Sequence, residues 1–437
     1  MTATRKTHPK IHMASLGCAK NLVDSEQLLA RLASAGAWVG AAAEDADIVL
    51  VNTCGFIGPA IRESMETIRQ YLQAEDRPPG QKLFVIGCLV QRDGPGLREK
   101  LPDVDGFFGL HEHRAITAAC GLDDVETEDA RLLLTPQHTA YVRVSDGCDN
   151  RCSYCTIPLI RGPLTSRPAS DIVHEARQLV EGGVREITLI GQDTTSYGKD
   201  LPGAPRIHDL LARLSDIEEL HWLRLLYAHP AYITDELIAC YRELPRLVPY
   251  VDLPLQHTND RILADMRRRV TREQTLRLIE KLRDAVPGMA IRTTFIIGYP
   301  GETDEEFQQL LADVNAIRFD HMGAFAYSPE EGTTAFDLPG RVPLDVVARR
   351  VDAIMVAQQE VVAERHRAML GETLEVVIDA STEEPDLFIG RTATQAPDVD
   401  PVTLVEGEEI LPGQFVRAEI VGADGYDLVA VAVAAAA

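Results

Sequence analysis

Ser145-Asp146-Gly147-Cys148-Asp149-Asn150-Arg151-Cys152-Ser153-Tyr154-Cys155 follows directly on the strand-like run Tyr141-Val142-Arg143-Val144. The cysteine spacing is C-x3-C-x2-C. A loop of this size wraps three thiolates around one face of an iron–sulfur cubane, and three ligands for four irons leave one iron open. An open iron is a place for chemistry, whereas a fully ligated cluster only moves electrons. A zinc knuckle is the competing reading. Structural zinc wants four ligands in two paired arms, and the second arm is missing.

Outward from this loop, strand and helix signals alternate six times between about residues 139 and 332. The strand candidates are 141–145, 186–191, 222–228, 249–254, 291–297 and 322–327, with helical stretches such as 171–181 and 304–317 between them. Such alternation predicts a parallel sheet with right-handed crossovers. Six units suggest an open, partial (β/α)6 barrel rather than an eight-unit closure. Polar groups collect at the strand C-termini, at Gln192-Asp193, His229, Gln256-His257, Gly298 to Glu302 and Ser328 to Glu331. That end is where the active site is expected.

Upstream, Cys18, Cys54 and Cys88 each end a short apolar run: Ile11 to Gly17, Asp47 to Thr53, and Lys82 to Gly87. A helical pattern follows each. Continuous apolar runs alternating with helices read as a parallel sheet covered on both faces. Its strand C-termini share one edge, where ligands bind. Three cysteines distant in sequence are therefore expected to converge. The competing reading is three structural thiols, since free cysteine is often core. Cys120 and Cys240 do read as core. The acidic stretch 123–129 reads as a linker.

Downstream, 344–370 is a long helical run, and 373–433 turns to short β-rich runs with Gly, Pro and Asp turns. This predicts a small antiparallel β-barrel. Residues 366–437 hold Arg367, Arg391 and Arg417 against fourteen acids, net −11, within a chain of 437 residues and formal net charge −24. Such a surface grips nucleic acid phosphates poorly. It suits a basic protein partner. No run of 18 apolar residues and no secretory h-region is seen near Arg5, Lys6 and Lys10. The expectation is a cytoplasmic protein without membrane contact, in a reducing compartment.

The chain resembles the methylthiotransferases of the radical S-adenosylmethionine superfamily from about residue 10 to its end. Within them it is similar to the RimO-type branch. The match rests on Ser145 to Cys148, Ile160-Arg161-Gly162, Thr165 to Pro168, Gln192-Asp193-Thr194, Leu253 to His257 and Tyr327 to Gly332. The transfer-RNA (MiaB-like) branch resembles it over the same length, but typically reads Gln-Asn and Gln-Ser-Gly where this chain has Gln192-Asp193 and Gln256-His257.

The resemblance implies an N-terminal methylthiotransferase domain at 10–121, a radical core at 134–370 and a TRAM-like barrel at 371–437. It implies two 4Fe-4S clusters, one on Cys148, Cys152 and Cys155 and one on Cys18, Cys54 and Cys88, together with S-adenosylmethionine. Tyr154, Gln192, Asp193, Gly298 and Glu302 are the expected cofactor contacts. Many superfamily members show Gly-Glu where Gln192-Asp193 stands. Glu302 suits a helix cap equally well. Lys20 and Asn21 suit either anchoring of anionic sulfide or plain solvation. The implied activity is methylthiolation of an aspartate β-carbon in small-subunit ribosomal protein S-twelve. Its partners would be an electron donor such as flavodoxin or ferredoxin and a sulfur donor, and the chain is expected to act as a monomer. The alternative is methylthiolation of transfer-RNA adenosine.

Overall fold

The computed structural model describes residues 8–125 and 130–433. Part of the expected linker 123–129 therefore lies outside the described residues, as do Arg5, Lys6 and the alanine tail.

The first layer is an all-parallel sheet in the order Trp38–Val39, Lys10–Ser15, Ile48–Thr53, Lys82–Gly87, Gly106–Phe108. The alternation of its strands feeds two cores. Val49, Val51 and Val85 pack with Met65 and Ile68, while Leu50, Phe84 and Ile86 pack with Leu28, Leu32 and Ile116. Covering both faces makes the strands continuous apolar runs. It leaves only the strand ends to carry polar chemistry.

The six barrel strands are, in order, Thr139–Arg143, Glu186–Ile190, Trp222–Leu225, Tyr250–Asp252, Ala290–Ile297 and His321–Ala326. They form two parallel three-stranded sheets. A parallel bridge between Leu223 and Leu247 brings the third and fourth strands side by side. Val142, Leu189, Leu225, Val251 and Ile291 face outward into the helical layer and are fully buried. Between the first and sixth strands the barrel stays open, as a six-unit count predicts. Helix Leu344–Met369 leads out, and five strands between Thr373 and Ala432 close the C-terminal barrel. Four of its pairings are antiparallel; Thr403–Glu406 and Asp427–Ala432 run parallel.

The barrel interior is polar at its N-terminal end, and the segment 391–400 of the C-terminal barrel stoppers it. Glu186 and Arg224 are fully buried. Arg224 lies 3.2 Å from Glu186 and donates to the Ala393 carbonyl at 2.9 Å. Arg391 donates to Glu186 at 2.6 Å and to Asp379. Tyr141 donates to Asp398 at 2.7 Å, and Tyr250 to Asp400 at 2.6 Å. Arg292 reaches both Asp252 and Asp400. A buried charge is tolerated only when paired and hydrogen-bonded, so this set holds together or not at all. A cavity of about 260 Å³, lined by His321, Arg365, His366 and Tyr426 among others, lies at this end and touches none of the cysteines.

Burial alone would raise the carboxyl of Glu186, but Arg391 and Arg224 outweigh it and hold it below its ordinary value. Glu186→Gln is expected to lower stability by about 3–5 kcal/mol, because it leaves buried Arg224 without a carboxylate and Arg391 with Asp379 alone. A carboxyl depressed in the fold stabilises fully above its unfolded pKa and loses that effect as pH falls through the folded value. Thermal unfolding of the two proteins should therefore differ most at neutral pH and converge in acid. Equal melting at pH 7 would contradict the network.

Candidate functional site

All three cysteines of the central loop lie at the C-terminal end of the first barrel strand. Gly147 takes φ +67°, and a Cβ there would fall 1.9 Å from the Pro163 carbonyl oxygen, so only glycine makes this turn. Cys148 N donates to Gly162 O at 3.1 Å, and Cys155 N to Cys152 O at 3.2 Å. Ser153 is tied to Asp265 O and the Tyr299 hydroxyl, both at 2.8 Å. The Arg268 guanidinium stands 3.7 Å from Cys152 Sγ and donates to Pro254 O at 2.6 Å. The three thiols are close enough for their charges to interact. Burial pushes Cys148 up to about 11 and Cys155 to about 12. Thiolates here therefore need a cation to hold them ionised, as a metal does.

The other three cysteines end their strands as expected, Cys18 beyond Lys10–Ser15, Cys54 beyond Ile48–Thr53 and Cys88 beyond Lys82–Gly87, and they converge. A Cβ at Gly17, which takes φ +95°, would lie 3.2 Å from Cys54 Sγ. Asn21, fully buried, is 3.2 Å from Cys88 Sγ through Oδ1 and donates to the carbonyls of Leu16 and Thr53. Burial pushes Cys88 up to about 12 and raises Cys54, and both feel the charge of Cys18. Among the described residues no three of His, Cys, Asp or Glu stand close enough to share one metal ion. Thiols on a cluster each take a separate iron and stand farther apart. Two all-thiol sets, soft donors in buried pockets, fit iron–sulfur clusters.

Arg161 joins the two sets. Its guanidinium lies 3.4 Å from Cys88 Sγ, 2.8 Å from Asn21 Oδ1, 2.7 Å from Asp24 and 3.0 Å from Asp146. Burial would raise Asp24, but Arg143 and Arg161 hold its carboxyl below the ordinary range. Asp146 in turn accepts from Gln192 Nε2 at 2.8 Å. A second clamp lies at Glu330, which accepts from Gly58 N at 2.8 Å and from Arg92 at 2.8 Å. The Tyr327–Gly332 motif thus grips the chain just past Cys54.

The expected cofactor residues divide. Gln192 leaves its Oε1 buried and without a hydrogen-bond partner. Tyr154 lies between two of the cysteines and packs among Ile262, Met266 and Tyr299. Asp193 is 3 % exposed and already accepts from Asn150, Thr195 and Ser196. A Cβ on Gly298 would lie 2.4 Å from Val347, so that glycine is required by helix packing. Glu302 accepts from Gly298 N at 3.0 Å and from Arg350 at 2.5 Å. The cap of the following helix is Thr303 with Glu306 instead. Other buried polar atoms without hydrogen-bond partners ring the same face, Ser145 Oγ, Thr258 Oγ1 and Tyr327 OH, while His257 Nε2 stands 3.6 Å from Glu302 Oε2. Orphans at strand C-termini mark a place for a polar ligand. Lys20 and Asn21 are 8 % and 0 % exposed, which overturns the solvated reading. Arg268 was not foreseen: in the run Arg267-Arg268-Arg269 it reads as surface charge, and nothing in the pattern marks the middle one as buried. Arg161 carried a weak signal, an arginine six residues past the last cysteine.

An open six-strand barrel with a three-cysteine loop at its C-terminal face defines a radical S-adenosylmethionine core. The Radical SAM superfamily model matches residues 142–314, the Uncharacterized protein family UPF0004 model residues 10–109, and the TRAM domain model residues 370–433. The solved structure of TsrM, a radical S-adenosylmethionine methyltransferase from Kitasatospora setae, aligns with TM-score 0.54 over 86% of this chain and 79% of that one. At 15% identity this likeness is one of fold alone. The chain is 43% identical over 428 residues to the ribosomal protein uS12 methylthiotransferase RimO of Porphyromonas gingivalis, covering 96% of this chain and 98% of that protein. It is 41% identical to the protein of the same name from Myxococcus xanthus, covering 97% and 92%. The chain belongs to the RimO family of radical S-adenosylmethionine methylthiotransferases.

Arg161→Met would leave Asp24 and Asp146 with Arg143 as their one shared cation among the described residues, and Asn21 Oδ1 without its guanidinium. A loss of about 3–5 kcal/mol is expected. It should appear as easier proteolytic separation of the N-terminal domain from the barrel. Arg161→Lys should not restore it, because a single ammonium cannot span four partners.

Proposed function

We propose that the chain methylthiolates the β-carbon of an aspartate in small-subunit ribosomal protein uS12, with S-adenosylmethionine and two 4Fe-4S clusters. The observation that carries this reading is the pairing of two all-cysteine sets across one domain interface, in a chain alike over nearly its whole length to proteins named for that activity. Residues 10–121 hold the cluster on Cys18, Cys54 and Cys88, 134–370 the one on Cys148, Cys152 and Cys155, and 371–437 the docking barrel. When bound, the central cluster supplies reductive cleavage of S-adenosylmethionine and the N-terminal one a station for sulfur.

The chain's own residues set the conditions for that chemistry. Arg268 beside Cys152 and Arg161 beside Cys88 place fixed positive charge against the thiolates. Gln192 offers its free Oε1 to the cofactor's ammonium and is aimed by Asp146. Tyr154, packed among Ile262, Met266 and Tyr299, would flank the adenine of the bound cofactor. Asp193 acts through Asn150, which fixes the cysteine loop, and Gly298 and Glu302 act through the loop they close against helix Leu344–Met369. The N-terminal domain covers the barrel mouth, held at Glu330 and Arg161, and so keeps water from reactive groups. A flavodoxin- or ferredoxin-like electron donor, a sulfur donor, a cytoplasmic setting and a monomeric enzyme complete the reading. Among the described residues no helix is long and apolar enough to cross a membrane.

The alternative, a transfer-RNA adenosine substrate, is disfavoured by charge. Among the C-terminal acids, Glu383, Glu384, Glu406, Glu408, Glu409 and Glu419 are exposed, and such a surface repels phosphates.

Anaerobically reconstituted protein should hold about eight irons, four per cubane. Replacing either cysteine trio by alanine should leave about half. Saturation at about four in the wild type would remove the second cluster. In a deletion strain, mass spectrometry should show uS12 without the methylthio group while transfer-RNA methylthiolation persists; the reverse pattern would establish the alternative. Reversing Glu406, Glu408 and Glu409 to lysine should weaken uS12 binding, most at low salt. Affinity indifferent to both salt and reversal would remove the docking role.

A further inference from the structure

Lys20 is the second residue of helix Ala19–Ser34, directly beyond the Cys18 cap. Its side chain is buried at 8 % exposure, in the seam between the N-terminal domain and the barrel, where Cys18, Arg161 and Tyr227 surround it. Among the described residues it has no carboxylate partner; the titratable side chains around it are those of Tyr227, Cys18 and Arg161. What it touches is an aromatic face, with Nζ 3.4 Å from the ring centroid of Tyr227.

Three physical costs meet at this contact. A desolvated cation–π contact is worth about 2 kcal/mol, while taking an ammonium out of water costs several kcal/mol. The first turn of a helix is its positive end, which disfavours a cation there. Tyr227 itself is held at φ +60°, a conformation costly for an aromatic residue. Its backbone is pinned by Asp252 Oδ2 at 3.0 Å and by Thr194 N at 3.1 Å. A buried ammonium on a strained platform, with no anion of its own, is a prepared anion site.

We propose that Lys20 binds the side-chain carboxylate of the aspartate to be methylthiolated, with the Tyr227 ring holding the ammonium in place. This assignment rests on the aspartate substrate proposed above. The sulfur side of the seam already has its cation: Arg161 lies 3.4 Å from Cys88 Sγ, with Asn21 beside it. Lys20 leans the other way, over a residue that follows the third barrel strand. Asp24, the nearby carboxylate of the chain, is occupied by Arg143 and Arg161. The carboxylate of an aspartate is bonded directly to its β-carbon, so fixing the first positions the second. Lys20 is thereby a specificity-determining residue, selecting an acid over its amide.

The test is a binding cycle on the reconstituted full chain. Dissociation constants are measured for uS12 and for uS12 with the modified aspartate, located by mass spectrometry of the wild-type product, changed to asparagine. Removing one partner of a buried charge pair costs about 2–5 kcal/mol, so the wild type should prefer the aspartate form by roughly 30-fold or more. Lys20→Met should bind both forms equally and weakly, with the iron content of the wild type. Lys20→Arg should recover part of the preference. A Lys20→Met protein that keeps the preference, that weakens both forms by one factor, or that loses half its iron overturns the assignment. The last result would place the lysine with the N-terminal sulfur set. Wild-type enzyme that leaves uS12 unmodified would instead overturn the substrate reading, and this assignment with it.

Discussion

The guanidinium of Arg161 is buried at the joint of two domains and is satisfied by neither alone. Asp24 and Asn21 come from the N-terminal domain, and Asp146 from the barrel. Two surfaces that each present thiols can be pressed together only if the charges between them are paired. Arg161 supplies that pairing and fixes distances on both sides. Through Asn21 it reaches the carbonyls of Leu16 and Thr53, which bracket Cys18 and Cys54. Through Asp146 it aims Gln192. Arg161 thus ties the two sides of the joint by charge, beside the apolar contact of Ile160 with Leu110 and Cys88.

The other end of the barrel obeys the same rule in a different way. A closed eight-strand barrel fills its interior with side chains of its own strands. Six strands leave an opening, and here the interior carries Tyr141, Glu186, Arg224, Tyr250 and Arg292 instead of an apolar fill. Arg391, Asp398 and Asp400 complete their hydrogen bonds from the C-terminal barrel. That small barrel is thus bound into the core by buried charge, while Glu406, Glu408 and Glu409 stay exposed on it.

Strain collects on the face that carries the chemistry. Tyr227, Gln256, Arg267 and Arg269 all take positive φ there without being glycine, and each lies just beyond a barrel strand or in the loop after it. Orphaned polar atoms share this face. Unsatisfied groups and costly backbone together mark surface held ready for ligands rather than relaxed for stability.

Much of this was legible in the chain itself. Apolar runs at strand length, separated by helical periods, determine both parallel sheets, because such a pattern can be buried only between layers. Strand-end position determines that Cys18, Cys54 and Cys88 meet, since parallel strands share one C-terminal edge. The single loop of Cys148, Cys152 and Cys155 is local, and local chemistry is readable from spacing. Other roles could not be read. Glu186 and Arg268 look in sequence like any surface charge, Lys20 and Arg161 show only that they follow cysteines, and their burial depends on partners distant in the chain, such as Arg391 for Glu186 and Cys152 for Arg268. Asp193 and Glu302 carry the expected motifs, yet their side chains are engaged within the fold, and Gly298 leaves only room for the packing of Val347. Whether a charged residue faces water or a buried partner is decided by which surfaces come together, and only the tertiary structure decides that.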